Sequence, residues 1–340
     1  MKLFLHNIFH FSILVFSFFT IISICLNLFP ESWSSYSYSI TNNIKEYIES
    51  EIDKEIVIIG DSRAMAGLAP KLIDPHNVYN LSVGGGTPIT GYYTLKKMLE
   101  KHKIPKTIVL SYAPFHLIVD DTYPRPIAED FFTFDEISEL YSEINKSDTL
   151  FWDNEKLDYN NSEFINLFKA YLIKIKFPTF FSAEIKNSKF LRSSDNGRVK
   201  NTITENLGAF MYGTSEYHDG YNQETKYVEF NENNLISKYL KKILNLADAN
   251  NIQVIYMTAP FNKASLGVIE QKFQENYLNY FSSLKKEFPE VIFYSELRSF
   301  GNQYFGDASH LNNNGRIKFS NQVKTILVDE ARTHNNVYKK

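Results

Sequence analysis

Short runs of branched apolar residues recur along this chain, and each one ends in small or turn-forming residues. Ile56-Val57-Ile58-Ile59 leads into Gly60-Asp61-Ser62, and Val78 to Val83 leads into Gly84-Gly85-Gly86-Thr87-Pro88. Thr107 to Ser111 breaks at Ala113-Pro114, Gln253 to Thr258 breaks at Ala259-Pro260, and Val291 to Tyr294 completes the set. Continuous runs of this kind, without alternation, predict strands buried on both faces, as in parallel sheets. Between them lie stretches with helical spacing. One starts at Pro88 and runs to about Lys103, one from about Glu232 to Ala249, one from about Val268 to Phe288, and one from about Asn313 to Arg332. The apolar positions Leu235, Ile236, Leu240, Ile243, Leu244 and Ala247 fit one helix face. Strand, loop and helix in repeated succession imply right-handed crossovers. The expected fold is α/β, a flavodoxin-like three-layer sandwich with a five-stranded parallel sheet.

The alternation fails over residues 115–229. Helical patches are expected near Asp135–Ile144 and Glu163–Ile175, and the rest is rich in Asp, Tyr, Phe, Asn and Ser. So long a stretch is not a loop. It reads as an insertion after the third strand that covers the strand ends and shapes a groove. His116 and the Asp120-Asp121 pair could belong to a site, although a solvated turn explains them as well. Trp152, Tyr212, Tyr217 and Tyr221 would suit stacking on sugar rings, and equally would suit the core of a cap.

The N-terminus carries a different pattern. No charged residue occurs from Phe11 to Phe29, about the length needed to cross a bilayer as a helix. Lys2 before it and Glu31 after it place the N-terminus in the cytoplasm. The apolar run is longer than a usual signal core, and no Ala-x-Ala-like site follows it. The expectation is an uncleaved anchor over residues 1–30, a tether over 31–54, an extracytoplasmic domain over 55–332 and a tail over 333–340.

Composition narrows the field. The 340 residues carry a net charge of −3, with no basic excess to suggest nucleic acid. The single cysteine, Cys25, lies in the apolar segment, so neither an intrachain disulfide nor a cysteine zinc site can form. His76, His102 and His218 are isolated and no His-Glu-x-x-His occurs, so no metal or cofactor is expected. The three glycines at 84–86 lack the spacing and the lysine of a phosphate loop. Their alternative use is close approach to a reacting oxygen.

The chemistry lies in two distant fragments. Gly60 permits a turn that leaves Ser62 at a helix start, on the sheet edge where open α/β folds bind ligands. Gly306-Asp307-Ala308-Ser309-His310 follows the last strand. A serine hydroxyl is a weak nucleophile until a base takes its proton, and that base needs an acid to orient it. His310 and Asp307, three apart on a turn, can supply both. Helix capping by Asp61 or Ser62 is the competing structural reading.

Together these fragments resemble the SGNH (GDSL-type) hydrolase superfamily over about Glu55 to Arg332, minus the insertion. The anchor, the Gly-Asp-Ser-Arg form and the insertion are most similar to its polysaccharide O-acetylation and DltD-like branch. The resemblance implies Ser62 as nucleophile, His310 as base and Asp307 as its partner. Asn80-Leu81-Ser82-Val83-Gly84-Gly85 is similar to the block that supplies an oxyanion amide, with Ser82 in place of the first glycine. That implies Gly85 and the Ser62 amide as donors. Asp61, Arg63 and Tyr112 are expected to line the substrate groove. The family's Gly-x-Asn-Asp block is replaced by Tyr112-Ala113-Pro114, which removes an oxyanion donor. Such a loss costs on the order of 10²–10³ in rate.

Three functions follow as expectations. The first is an O-acyltransferase or esterase on a cell-envelope glycan, with an acyl donor and a membrane-bound acyltransferase as possible partners. The second is a non-catalytic accessory protein of a glycan export or acylation complex. The third is a lipid or thioester hydrolase beside the membrane.

Overall fold

The computed structural model describes residues 2–34, 36–119, 124–144, 151–152, 155–156, 163–176 and 193–337. Asp120 and Asp121 lie outside them. The chain forms two compact units, one from Met1–Asn42 with Tyr123–Lys200 and one from Asn43–Thr122 with Asn201–Lys340.

The second unit holds a parallel sheet of five strands, β1 (Ile56–Gly60), β2 (Val78–Asn80), β3 (Thr107–Ser111), β4 (Gln253–Met257) and β5 (Ile292–Tyr294). Their order is β2-β1-β3-β4-β5, the flavodoxin-like arrangement. β1 runs in register with both neighbours, Ile58 opposite Asn80 on one side and Val109 on the other.

Period-two alternation sends successive strand residues to opposite helical layers. Ile58, Val109 and Met257 join Ala64, Leu68, Phe319 and Val323 in one buried cluster. On the other face Ile59 meets Gly91 and Ile243, and the Tyr256 ring lies 4.5 Å from that of Phe281. The first layer comprises α2 (Ser62–Gly67) and α6 (Asn313–Val337). The other is built from α3 (Pro88–Glu100), α4 (Asn234–Ala249) and α5 (Gln271–Glu287). A short parallel pair, Phe261–Asn262 with Ser299–Phe300, has too few residues to show in the apolar pattern. Past the end of β2, Leu81 and Val83 still donate to the Ile58 and Gly60 carbonyls of β1 and keep the chain along that edge.

The glycine at the end of β1 has a different use from the one expected. Gly60 does not take a left-handed turn; a Cβ there would fall 2.1 Å from the Ser111 carbonyl oxygen. It lets β1 and β3 close up where the site begins.

In the first unit, the span Leu3–Leu28 of α1 (Lys2–Leu28) is long and apolar enough to cross a membrane. The segment expected as a tether contains a 14-residue helix, Tyr36–Glu49. Ile40, Ile44, Tyr47 and Ile48 are buried on one side of it, a stripe diluted by Ser, Asn and Thr of low helix propensity. The expected insertion also divides. Residues 123–200 group with the N-terminal segment, whereas 201–229 fold with the sheet.

Candidate active site

Asp61 starts the site. It is wholly buried at the N-cap of α2, and its Oδ1 accepts from the Arg63 amide at 2.8 Å and the Ala64 amide at 3.3 Å. Its Oδ2 accepts from the Ala113 amide at 2.7 Å. One carboxylate thus closes the helix start and fixes the chain leaving β3. The next residue, Ser62, is held at the mouth of the helix and remains partly exposed.

The opposing loop presents the candidate base. His310 Nε2 lies 2.7 Å from Ser62 Oγ, although 248 positions separate the two in sequence. His310 Nδ1 lies 2.8 Å from Asp307 Oδ2 and 3.0 Å from its Oδ1. An acceptor on Nδ1 selects the tautomer that leaves Nε2 free to take the serine proton. Asp307 is held in turn by the Ser309 and His310 amides, each at 2.8 Å. Burial alone would raise the Asp307 carboxyl. The bond and charge of His310 and the two amides outweigh that and hold it down at about 2. The group is therefore ionised at neutral pH.

A third segment completes the site. The Tyr212 ring stacks on His310, with centroids 4.8 Å apart and planes 29° from parallel. Its hydroxyl donates to Met65 Sδ at 3.3 Å. Gly213 backs directly onto Gly306 and Asp307. Asn312 donates to the carbonyls of Ser215 and Glu216. Asn262 donates to Gly220 at 3.0 Å and to Ala308 at 2.7 Å. The segment over residues 212–222 is thus fastened along the His310 loop and carries Tyr217 and Tyr221, both largely exposed. Trp152 lies in the other unit.

The glycine turn after β2 packs against the same edge. Val83 donates to Gly60, and a Cβ on Gly86 would fall 2.6 Å from the Gly60 carbonyl oxygen. Gly85 takes φ +65°, open to glycine without strain. Among the described residues no acceptor pairs with the Gly85 amide. Asn80 is buried behind it, donating to the Ala64 and Leu68 carbonyls and accepting from Ser82.

Three expected substrate contacts are corrected. Asp61 has no exposed surface, and both oxygens are engaged by backbone amides. Arg63 is buried as well; its Nη2 lies 2.6 Å from Glu224 Oε2, and its guanidinium sits 5.1 Å from the Phe261 ring centre. Tyr112 is fully buried against Gly91, and burial pushes its phenol well up. None can meet a substrate; all three build the floor. His116 belongs to that floor, with Nε2 3.9 Å from Asp61 Oδ2. Among the described residues no cluster of His, Cys, Asp or Glu could hold a metal ion.

No family model and no curated protein matches the chain. It is similar to the solved structure of a candidate acylhydrolase from Bacteroides fragilis, at 12% identity and a TM-score of 0.36 over 83% of this chain and 89% of that one. It is also similar to that of a candidate platelet activating factor from Streptococcus pneumoniae, at 12% identity and a TM-score of 0.35 over 90% and 98% of the two chains.

Proposed function

We propose that the protein is a serine esterase or O-acyltransferase acting on acylated cell-envelope polysaccharide, tethered by α1 with the α/β unit outside the cytoplasm. The observation that carries this reading is the 2.7 Å approach of His310 Nε2 to Ser62 Oγ, with Asp307 on the other ring nitrogen. Ser62 Oγ attacks the acyl carbonyl carbon and His310 takes its proton. The carbonyl oxygen becomes an oxyanion, for which the Ser62 and Gly85 amides are the candidate donors. Collapse breaks the ester bond, and His310 returns the proton to the departing alcohol. The acyl group stays on Ser62 as an ester. A second hydroxyl, from water or a sugar, then attacks with His310 as base and frees the serine.

Asp307 orients the ring and stabilises the imidazolium, and the stacked Tyr212 face adds to that stabilisation. Support for a glycan comes from the exposed Tyr217 and Tyr221 on the segment that borders the triad. The same site could process a lipid ester, and a comparison of short-chain and long-chain esters separates the two. The test is acyl-ester turnover by the full chain and by Ser62→Ala. Turnover is expected to fall by about 10⁴-fold or more in the variant. Equal turnover in both proteins would remove the serine from the mechanism and leave a glycan-binding accessory role.

A further inference from the structure

We infer that Arg316 forms an anion subsite at the foot of the His310 loop and takes the carboxylate of an acidic sugar. The inference deepens the reading of the substrate as a glycan and rests on that part of it, not on the acyl chemistry at Ser62.

Among the described residues the buried cationic side chains are Arg63, Lys103, Lys176 and Arg316. Arg63 lies 2.6 Å from Glu224, Lys176 pairs with Asp130 at the same distance, and Lys103 donates to the Ile52 carbonyl at 2.7 Å. Arg316 is only 9% exposed, yet no hydrogen bond or ion pair reaches its guanidinium. Its Nε is sealed from solvent without an acceptor, whereas Nη1 and Nη2 are not fully sealed. Burial pushes the group's pKa down, and no carboxylate acts against that. Arginine stays charged in proteins, so the cost is not relieved by losing a proton. A cation held in this way is matched by an anion from outside the chain.

Its position ties it to the surroundings of the triad. Arg316 lies at the end of the first turn of α6. Asn312 caps that helix, its Oδ1 accepting from the Gly315 amide at 3.1 Å, while its Nδ2 donates to the Ser215 and Glu216 carbonyls. One turn beyond Arg316, Ser320 Oγ donates to the Gly67 carbonyl of α2 at 3.1 Å. Residues 316 and 320 share a helix face, so Arg316 is turned toward α2, the helix that Ser62 begins. The Phe210 amide donates to the Met65 carbonyl of that same helix at 3.2 Å. The guanidinium therefore sits among α2, the start of α6 and the segment through Tyr212. Helical side chains lean toward their own N-terminus, here the end that follows the His310 loop. An anion there also meets the positive end of a 25-residue helix. Charge selects the ligand. No second charged group acts on Arg316. One planar fork with a single charge fits a carboxylate, whereas a phosphate dianion asks for more.

The test is thermal unfolding of the full chain in detergent, titrated with sodium glucuronate against glucose and against sodium chloride of equal ionic strength. The wild-type midpoint should rise saturably with glucuronate alone. Affinity should weaken about tenfold or more in Arg316→Gln, the worth of a charged hydrogen bond. Hydrogen exchange on the wild type serves if that variant does not fold: glucuronate should slow exchange in peptides over residues 209–216 and 303–320. No saturable rise, an equal rise in both proteins, or protection confined to other peptides would overturn the subsite. Tighter binding of inorganic phosphate than of glucuronate would overturn the carboxylate. Ser62→Ala should bind glucuronate as tightly as the wild type. If that variant still turns over acyl esters while glucuronate binding stays intact, the acyl reading falls and the subsite stands.

Discussion

At the residue scale the proposed chemistry uses carboxylates as scaffolding and one imidazole as base. Asp307 illustrates how charge couples to stability. Its folded pKa, about 2, lies below its ordinary value of 3.8, so ionisation stabilises the folded state. That contribution is complete above pH about 4 and disappears as pH falls toward 2. Asp307→Asn should therefore narrow its stability gap to the wild type across that window, as followed by urea midpoints at successive pH values. A gap independent of pH would mean that the carboxylate is not held by His310. Tyr212 makes a separate prediction. Tyr212→Phe keeps the stacked face and loses the bond to Met65, so it should retain most of its turnover. Tyr212→Ala loses the face and should drop kcat/KM by about tenfold, equivalent to about 1–2 kcal/mol. Equal losses in both would point to the hydroxyl instead.

At the scale of elements, much of the site was legible in the sequence. The five apolar runs gave the strand succession, and the fragments around Ser62 and His310 each follow a strand, so the fold delivers both to one edge. What was illegible came from partners distant in the chain. Arg63 reads as an exposed cation beside a nucleophile, but it is paired in the interior with Glu224, 161 positions away. No local pattern announces that pair, because Glu224 sits in a short 3-10 turn within a polar stretch. The burial of Asp61 and Tyr112 is hidden from the sequence for a related reason. Adjacency to the proposed nucleophile does not reveal which side of the backbone a side chain takes, and both turn inward. Glu224 is fully buried, and removing it leaves a guanidinium without a counter-charge. Glu224→Ala should cost about 3–5 kcal/mol of stability in urea unfolding. A loss below about 1 kcal/mol would mean that water reaches Arg63.

At the scale of the molecule, the two units show why the middle of the chain resisted reading. The boundary falls inside a helix, Ser193–Glu205, and a second helix, Tyr36–Glu49, also crosses it. Composition shifts mark linkers, and these boundaries have none. Residues 201–229 look like the insertion in composition, yet they contribute Tyr212, Gly213 and Glu224 to the triad's surroundings. The first unit has its own polar interior, with Asn196 donating to the Glu31 and Ser34 carbonyls and Lys174 paired with Asp130. The burial of Lys176 is possible only because Asp130 and Asn27 surround its ammonium. α1 therefore takes part in the fold of its unit through Ser23 and Asn27, as well as having the length of an anchor.

The central claim is that Ser62 is a nucleophile activated by His310, and covalent labelling tests it most directly. The full chain is treated with a fluorophosphonate probe and the modified peptide is identified by mass spectrometry, alongside His310→Ala. The account predicts one adduct, on Ser62 of the wild type, with labelling abolished or greatly slowed in the variant. A folded wild-type chain that leaves Ser62 unmodified, or a variant that labels at the same rate, would contradict it.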